Sequence, residues 1–260
     1  MSTSLQPNPS FLPPVPGYLS KAGSGLLHVA IIIDGNGRWA AAQGRPRSDG
    51  HRAGAETVRR VIEAAPGLGI GTLTLFALSS ANWKRPESEV LRILALLQDY
   101  LATETEHCQR EGVRLSIFGR RDRVPPELRQ AIDHAEAVTA SGTRLHVRLA
   151  IDYSAREAIF QAACRFYKVT ELSPERFAGV LEEINRGGSS EVDLLIRTGG
   201  EQRLSDFLLW ECAHAELLFL DKRWPDFTPA DLASSVAEFT RRERTYGALP
   251  GEHRESAAGF

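Results

Sequence analysis

From residue 28 onward, short apolar runs alternate with longer stretches in which apolar residues return every three or four positions. Short runs suit buried strands and the longer period suits amphipathic helices, so their regular alternation predicts an α/β domain on a central, mainly parallel sheet flanked by helices. Six strands are expected, at 28–33, 71–78, 113–118, 145–151, 192–196 and 216–220. In the fourth, Leu145, Val147, Leu149 and Ile151 alternate with His146 and Arg148, so one face should be less buried. The others read as interior.

Val90, Leu94, Leu97 and Leu101 recur at helical spacing behind Pro86, which predicts a helix reaching about Cys108. Pro125 and Pro126 open a helix ending near Thr139, Thr228 and Pro229 read as cap and first residue of a last helix, and a helix begun near Gly50 should stop at Pro66. The stretch 172–188 reads as a peripheral helix leading into a Gly-Gly-Ser-Ser turn. Five of the 14 prolines fall in the first 17 residues, so 1–25 is expected to be a flexible arm, with Phe11, Leu12 and Tyr18 as its only docking candidates. A single domain is expected over 26–247, and a tail without structural signals over 248–260.

With 42% hydrophobic residues in 260, the chain can bury one sizeable core. Its 31 basic and 33 acidic residues give a net charge of −2, which argues against a chain-wide nucleic-acid footprint. No aliphatic run approaches the roughly 18 residues of a membrane span. Three scattered cysteines and an N-terminus unlike a signal peptide fit a reducing cytoplasm.

The first chemically unusual segment, Asp34-Gly35-Asn36-Gly37-Arg38-Trp39, directly follows a strand, where open α/β sheets bind ligands. Asp34 could ligate a metal, Gly35 and Gly37 would let backbone N–H groups approach a phosphate, and Arg38, Arg47 and His51 would supply positive charge. Together they describe a cradle for a diphosphate and Mg²⁺. Taken alone, the four residues from Asp34 would pass for a common turn. A second segment, 196–207, also follows a strand; Arg197, Arg203 and Ser205 beside two glycines suit a second diphosphate, with a solvated polar loop as the rival reading. A third, 79–86, offers Asn82 and Arg85 to a substrate and Trp83 as part of a lid.

Other motifs fail. Gly67, Gly69 and Gly71 precede a strand and lack the Lys-Ser/Thr of a phosphate loop. Asp34 has no second Asp two residues on, which disfavours an aspartyl nucleophile. His107-Cys108 and Cys212 near His214 lack zinc spacing and are assigned to packing.

Taken together, His28-Val-Ala-Ile-Ile-Ile-Asp-Gly-Asn-Gly-Arg-Trp-Ala40, Gly50-His-Arg-Ala-Gly54, Asn82-Trp-Lys-Arg-Pro86, Ile196-Arg-Thr-Gly-Gly-Glu-Gln-Arg-Leu-Ser205 and Trp224-Pro-Asp-Phe227 resemble the cis-prenyltransferase family, typified by undecaprenyl diphosphate synthase. The resemblance spans about 28–247. It implies a homodimer with an apolar tunnel for the growing chain, and a Mg²⁺-dependent condensation of isopentenyl diphosphate with an allylic prenyl diphosphate. Peripheral membrane contact for product release would accompany that role. By the same resemblance, Asp34 matches the family's metal-binding aspartate, and Gly35, Asn36, Gly37, Arg38, Trp39, Arg47, His51 and Arg85 surround the allylic diphosphate. Arg197, Arg203 and Ser205 match the isopentenyl diphosphate site, and Glu216 an acidic residue that assists metal binding. Asn82, with a catalytic role, Trp83 and Glu89 match the mobile segment that orients both substrates.

The chain departs from the family in three places. Ala81 stands where a Glu is usual, Asp152-Tyr153-Ser154-Ala155 replaces Asn-Tyr-Gly-Gly, and Thr245 replaces an Arg that is thought to reach the partner's site. A specialised relative making a short or irregular product is therefore the alternative, followed by a non-catalytic partner subunit. Product length and the base are not assigned.

Overall fold

The six apolar runs form β1 (Leu27–Ile32), β2 (Ile70–Ser79), β3 (Val113–Phe118), β4 (Leu145–Tyr153), β5 (Leu194–Arg197) and β6 (Glu216–Phe219). They lie in one sheet of order β3-β4-β2-β1-β5-β6, and every neighbouring pair is parallel. These elements come from a computed structural model that describes residues 26–166, 173–187 and 191–242. The expected N-terminal arm, the C-terminal tail, Thr245 and the turn at 188–190 fall outside the described residues.

Seven helices connect the strands among the described residues: α1 (Asn36–Ala41), α2 (Arg47–Ala64), α3 (Glu87–Arg110), α4 (Pro126–Thr139), α5 (Ala155–Phe166), α6 (Pro174–Ile184) and α7 (Pro229–Arg241). Thr228 caps α7 as expected, its hydroxyl accepting from the amide of Asp231 while the Asp231 carboxylate accepts from the amide of Thr228. Pro66 stops α2 by turning the chain into a short 3-10 turn, Ala65–Leu68.

Side chains alternate across a strand, and β1 shows the consequence. Leu27, Val29 and Ile31 enter the larger core with α2, α3, α4 and α7, whereas Ala30 and Ile32 enter a smaller core with α5 and α6. Both faces of the sheet are thus covered, which is why its strands read as nearly continuous apolar runs.

Two expectations need correction. The polar side of β4 is less buried only at His146, which is half-buried; Arg148 is fully buried, donating to the carbonyl of Asn185 at 3.1 Å and lying 4.7 Å from the ring of Phe118. The turn after α6 covers that face. β6 is an edge strand with Leu217 37% exposed, so it is not interior. The segment after Asp34 turns directly into a helix, for Gly35, at φ +101°, caps α1, which begins one residue later. The apolar pattern does not single out α5 as a separate helix, although one forms.

Candidate active site

β1 has β2 on one side and β5 on the other, so the chain leaves it in one direction and returns to its other flank much later. Such a switch opens a crevice beyond the strand ends. The register pairs Ile32 with Arg197, which brings Asp34, just past β1, to the guanidinium that ends β5. Arg197 donates from Nη2 to Asp34 Oδ2 at 2.9 Å and from Nη1 to Ser205 Oγ at 2.6 Å and to the Arg203 carbonyl at 2.5 Å. Asp34 Oδ1 accepts the amide of Gly35 at 2.6 Å and lies 3.2 Å from Arg38 Nη2. Burial alone would push the Asp34 carboxyl up, but the Arg197 hydrogen bond, the Arg38 charge and the Gly35 amide outweigh it and hold it below its ordinary value. Asp34 is therefore a carboxylate.

Glycines let these groups converge. At Gly37 a Cβ would lie 2.5 Å from the guanidinium carbon of Arg47, and at Gly50 it would lie 1.9 Å from the carbonyl oxygen of Asn36. The Gly50-x-x-x-Gly54 face of α2 thus lets α1 lie directly against it, with Asn36 Oδ1 2.3 Å from where a Gly54 Cβ would stand. The loop after β5 carries left-handed backbone at Gly199, Gly200, Ser205, Asp206 and Leu208. Three of those five are not glycine, a concentration of strain that folds pay for at functional sites.

One cavity of about 270 Å³ collects these residues. Its lining includes Asp34, Gly35, Asn36, Gly37, Arg38, Arg47, His51, Asn82, Arg85, Arg197 and Ser205. The rest of the lining is largely apolar, with Val58, Leu75, Ile93, Leu97, Leu149 and Tyr100. One cavity therefore brings four arginines together with apolar side chains.

Five expected site residues do not line this cavity. Trp39 donates its indole N–H to Asp226 at 2.7 Å and ties α1 to the 3-10 turn Trp224–Asp226. Trp83 packs against the larger core, and Arg203 points to solvent, paired with Glu201. Glu216 pairs with Arg242 at 2.9 Å; its register partner is Leu194 at the start of β5, whereas Asp34 follows the strand ends. Glu89 lies in a neighbouring groove as counter-ion to Arg47 and Arg85, both at 3.2 Å. His51, 3.7 Å from Glu89, does not supply the expected positive charge: burial, then the charges of Arg85 and Arg47, outweigh the attraction of Glu89 and lower its pKa.

Sequence reasoning missed Thr198. Its buried hydroxyl donates to the Asp34 carbonyl at 2.8 Å and accepts the Asp34 amide at 3.0 Å, fixing the aspartate's backbone from both sides. Arg223 was missed too; it donates to the Arg38 carbonyl at 3.1 Å, and its Cβ would lie 2.9 Å from a Cβ at Gly35. The pairing of Ile32 with Arg197 is the signal that could have found Thr198, since it sets residue 198 opposite the exit of β1.

The undecaprenyl diphosphate synthase family model, Prenyltransf, matches residues 32–247, most of the chain. The chain belongs to this family. Isoprenyl transferase 1 of Bradyrhizobium diazoefficiens is 53% identical over 223 residues, covering 86% of this chain and 90% of that protein. Isoprenyl transferase of Brucella abortus is 43% identical over 235 residues, covering 88% and 92%. Among solved structures, lavandulyl diphosphate synthase from Lavandula x intermedia, in complex with dimethylallyl diphosphate, superposes with a TM-score of 0.79 at 35% identity, covering 85% of this chain and 97% of that one. A probable undecaprenyl diphosphate synthase from Campylobacter jejuni gives 0.73 at 34%, covering 85% and 98%. The protein is thus a cis-prenyltransferase by family and fold. No helix among the described residues is long and apolar enough to cross a membrane.

Proposed function

We propose that this prenyltransferase condenses isopentenyl diphosphate with an allylic prenyl diphosphate, and that it does so in the cytoplasm as a homodimer requiring Mg²⁺. The observation that carries this reading is the Asp34–Arg197 pair in a cavity lined by four arginines and by apolar side chains. Arg38, Arg47 and Arg85 bind the allylic diphosphate by charge-assisted hydrogen bonds while its hydrocarbon lies along the apolar lining. Arg197 and Ser205 hold the isopentenyl diphosphate beside it. Asn82 keeps its Oδ1 on the amide of Ser79 at 3.1 Å, so its amide nitrogen remains to donate to a diphosphate oxygen.

The allylic carbon–oxygen bond breaks with its electron pair leaving on diphosphate, the isopentenyl double bond supplies the new carbon–carbon bond, and loss of a proton restores a double bond. Low-dielectric surroundings strengthen the arginines' stabilisation of the departing charge. Among the described residues no group of three or more His, Cys, Asp or Glu side chains could cage a metal. A single carboxylate fits a hard cation completed by substrate oxygens, so Asp34 would hold Mg²⁺ together with the diphosphate, and the ion would supply charge neutralisation there. Glu216, at the start of β6 and paired with Arg242, stands away from the strand ends and takes no part in that centre in this reading. Peripheral membrane contact would serve product release.

A second reading, a short product, draws on the cavity wall. Tyr100 lines the cavity and also lines an outer pocket with Arg59, Glu104 and His107. The test is incubation with Mg²⁺, isopentenyl diphosphate and allylic diphosphates of several lengths, with products sized by mass spectrometry. Condensation that stops in excess EDTA is expected; turnover undiminished by EDTA would overturn the metal assignment.

A further inference from the structure

We propose that Asp152, one of the chain's departures from its family, is a positioning residue that sets the turn carrying Asn82 through an ion pair with Arg123. The proposal rests on the reading of Asn82 as substrate-facing, and goes beyond it in naming what holds Asn82 there. Asp152 lies at the exit of β4 and is fully buried, with left-handed backbone at φ +50°. Its carboxylate meets two separate segments. Arg123, in the loop between β3 and α4, donates from Nε to Oδ2 at 2.9 Å and from Nη2 to Oδ1 at 2.5 Å. Ser80, which opens the 3-10 turn Ser80–Lys84, donates its hydroxyl to Oδ1 at 2.8 Å.

The same Arg123 guanidinium lies 4.7 Å from the centre of the Trp83 ring. The indole N–H of Trp83 is buried without a hydrogen-bond partner among the described residues, so the ring is held by packing and by that cation. Ser80 and Trp83 are thereby fixed on both sides of Asn82 by one carboxylate–guanidinium unit. Reciprocal hydrogen bonds between Ser79 and Asn82 complete the turn. Bidentate pairing gives direction as well as strength, and a buried carboxylate left without its cation is costly, so the three segments move together or not at all.

The test uses Asp152→Asn, Arg123→Met and the double variant. Asn also tolerates left-handed backbone, so the first change removes charge without adding strain. Two readouts are taken: hydrogen exchange of 79–85 in the substrate-free protein, and kcat and KM for both diphosphates. Exchange in 79–85 should rise about tenfold or more while β1 and β5 stay protected. kcat should fall about tenfold with both KM values within about twofold, and the double variant should be no worse than either single one. If Asp152→Asn does not fold, Ser80→Ala removes one hydrogen bond to Oδ1 and should give the same pattern in smaller measure. Unchanged exchange in 79–85 would overturn the proposal, as would a lowered melting temperature with kcat intact, which marks a merely structural pair. Because the exchange needs no turnover, a parent protein inactive on prenyl diphosphates would refute the proposed function and still leave the Asp152 clamp decided.

Discussion

Replacing Thr198 by Val removes one buried hydroxyl and keeps the shape, so it isolates what holds the backbone of Asp34 in place. The hydroxyl makes two hydrogen bonds, to the Asp34 carbonyl at 2.8 Å and from the Asp34 amide at 3.0 Å. The carbonyl keeps a second partner in the amide of Trp224 at 2.9 Å, and the amide keeps only a bent contact to the Ile32 carbonyl at 3.0 Å. One net hydrogen bond is worth about 1 kcal/mol and a poorly satisfied buried donor costs about 1 to 3 kcal/mol. With both Asp34 groups retaining a partner, the expected loss of stability lies at the lower end, about 1 to 2 kcal/mol. Turnover should fall further than stability suggests, by about tenfold or more, because tilting the Asp34 carboxylate costs transition-state stabilisation at about 1.4 kcal/mol per decade. Thr198→Ser keeps the hydroxyl and should retain most activity. Urea unfolding and steady-state condensation assays measure the two effects. Wild-type turnover in Thr198→Val would show that the carboxylate is placed by Arg197 and Gly35 alone, and that the hydroxyl is incidental.

Arg197→Ala and Arg203→Ala should differ in degree: the buried Arg197 holds both Asp34 and Ser205, so its loss should raise the isopentenyl diphosphate KM and lower kcat by about a hundredfold or more. Arg203, exposed and paired with Glu201, should cost about tenfold or less, mainly in KM for the same substrate, and titration of each variant with both diphosphates checks the ranking. Tyr100→Ala should join the cavity to the outer pocket and shift products to longer chains, read by mass spectrometry; an unchanged profile would place the length limit elsewhere.

The strands were legible because both faces of a parallel sheet are buried, so their apolar runs stand out without any knowledge of partners. The same burial hid the exceptions. Arg148 looked like a solvent-facing position because alternation is the habit of half-exposed strands, yet a guanidinium with a carbonyl at 3.1 Å and an aromatic face beside it can be enclosed. α1 escaped because Asp-Gly-Asn-Gly is a turn signature over four residues, and only the contact with Gly50 and Gly54, more than ten residues away, settles the chain from Asn36 onward as a helix. His51 read as a cation because it follows Arg38 and Arg47 in a basic segment, whereas its state depends on burial and on the charges around it.

The candidate site divides in the same way. Groups next to a strand end, Asp34 and Arg197, could be placed from sequence because parallel pairing carries both to one edge of the sheet. Groups whose role is to hold those residues could not. Thr198 has no side chain that advertises chemistry, and Arg123 stands 29 residues from Asp152 in the chain, joined to it only by the fold. An aspartate at 152, where the resemblance to the family leads one to expect an asparagine, is visible in the sequence, but its meaning depends on a cation arriving from another loop. In isolation the change adds a buried charge at a left-handed position, which costs stability. With Arg123 in bidentate contact, Ser80 on the same oxygen and Trp83 beneath the guanidinium, the charge becomes the fixed point to which the neighbouring substrate-facing turn is fastened.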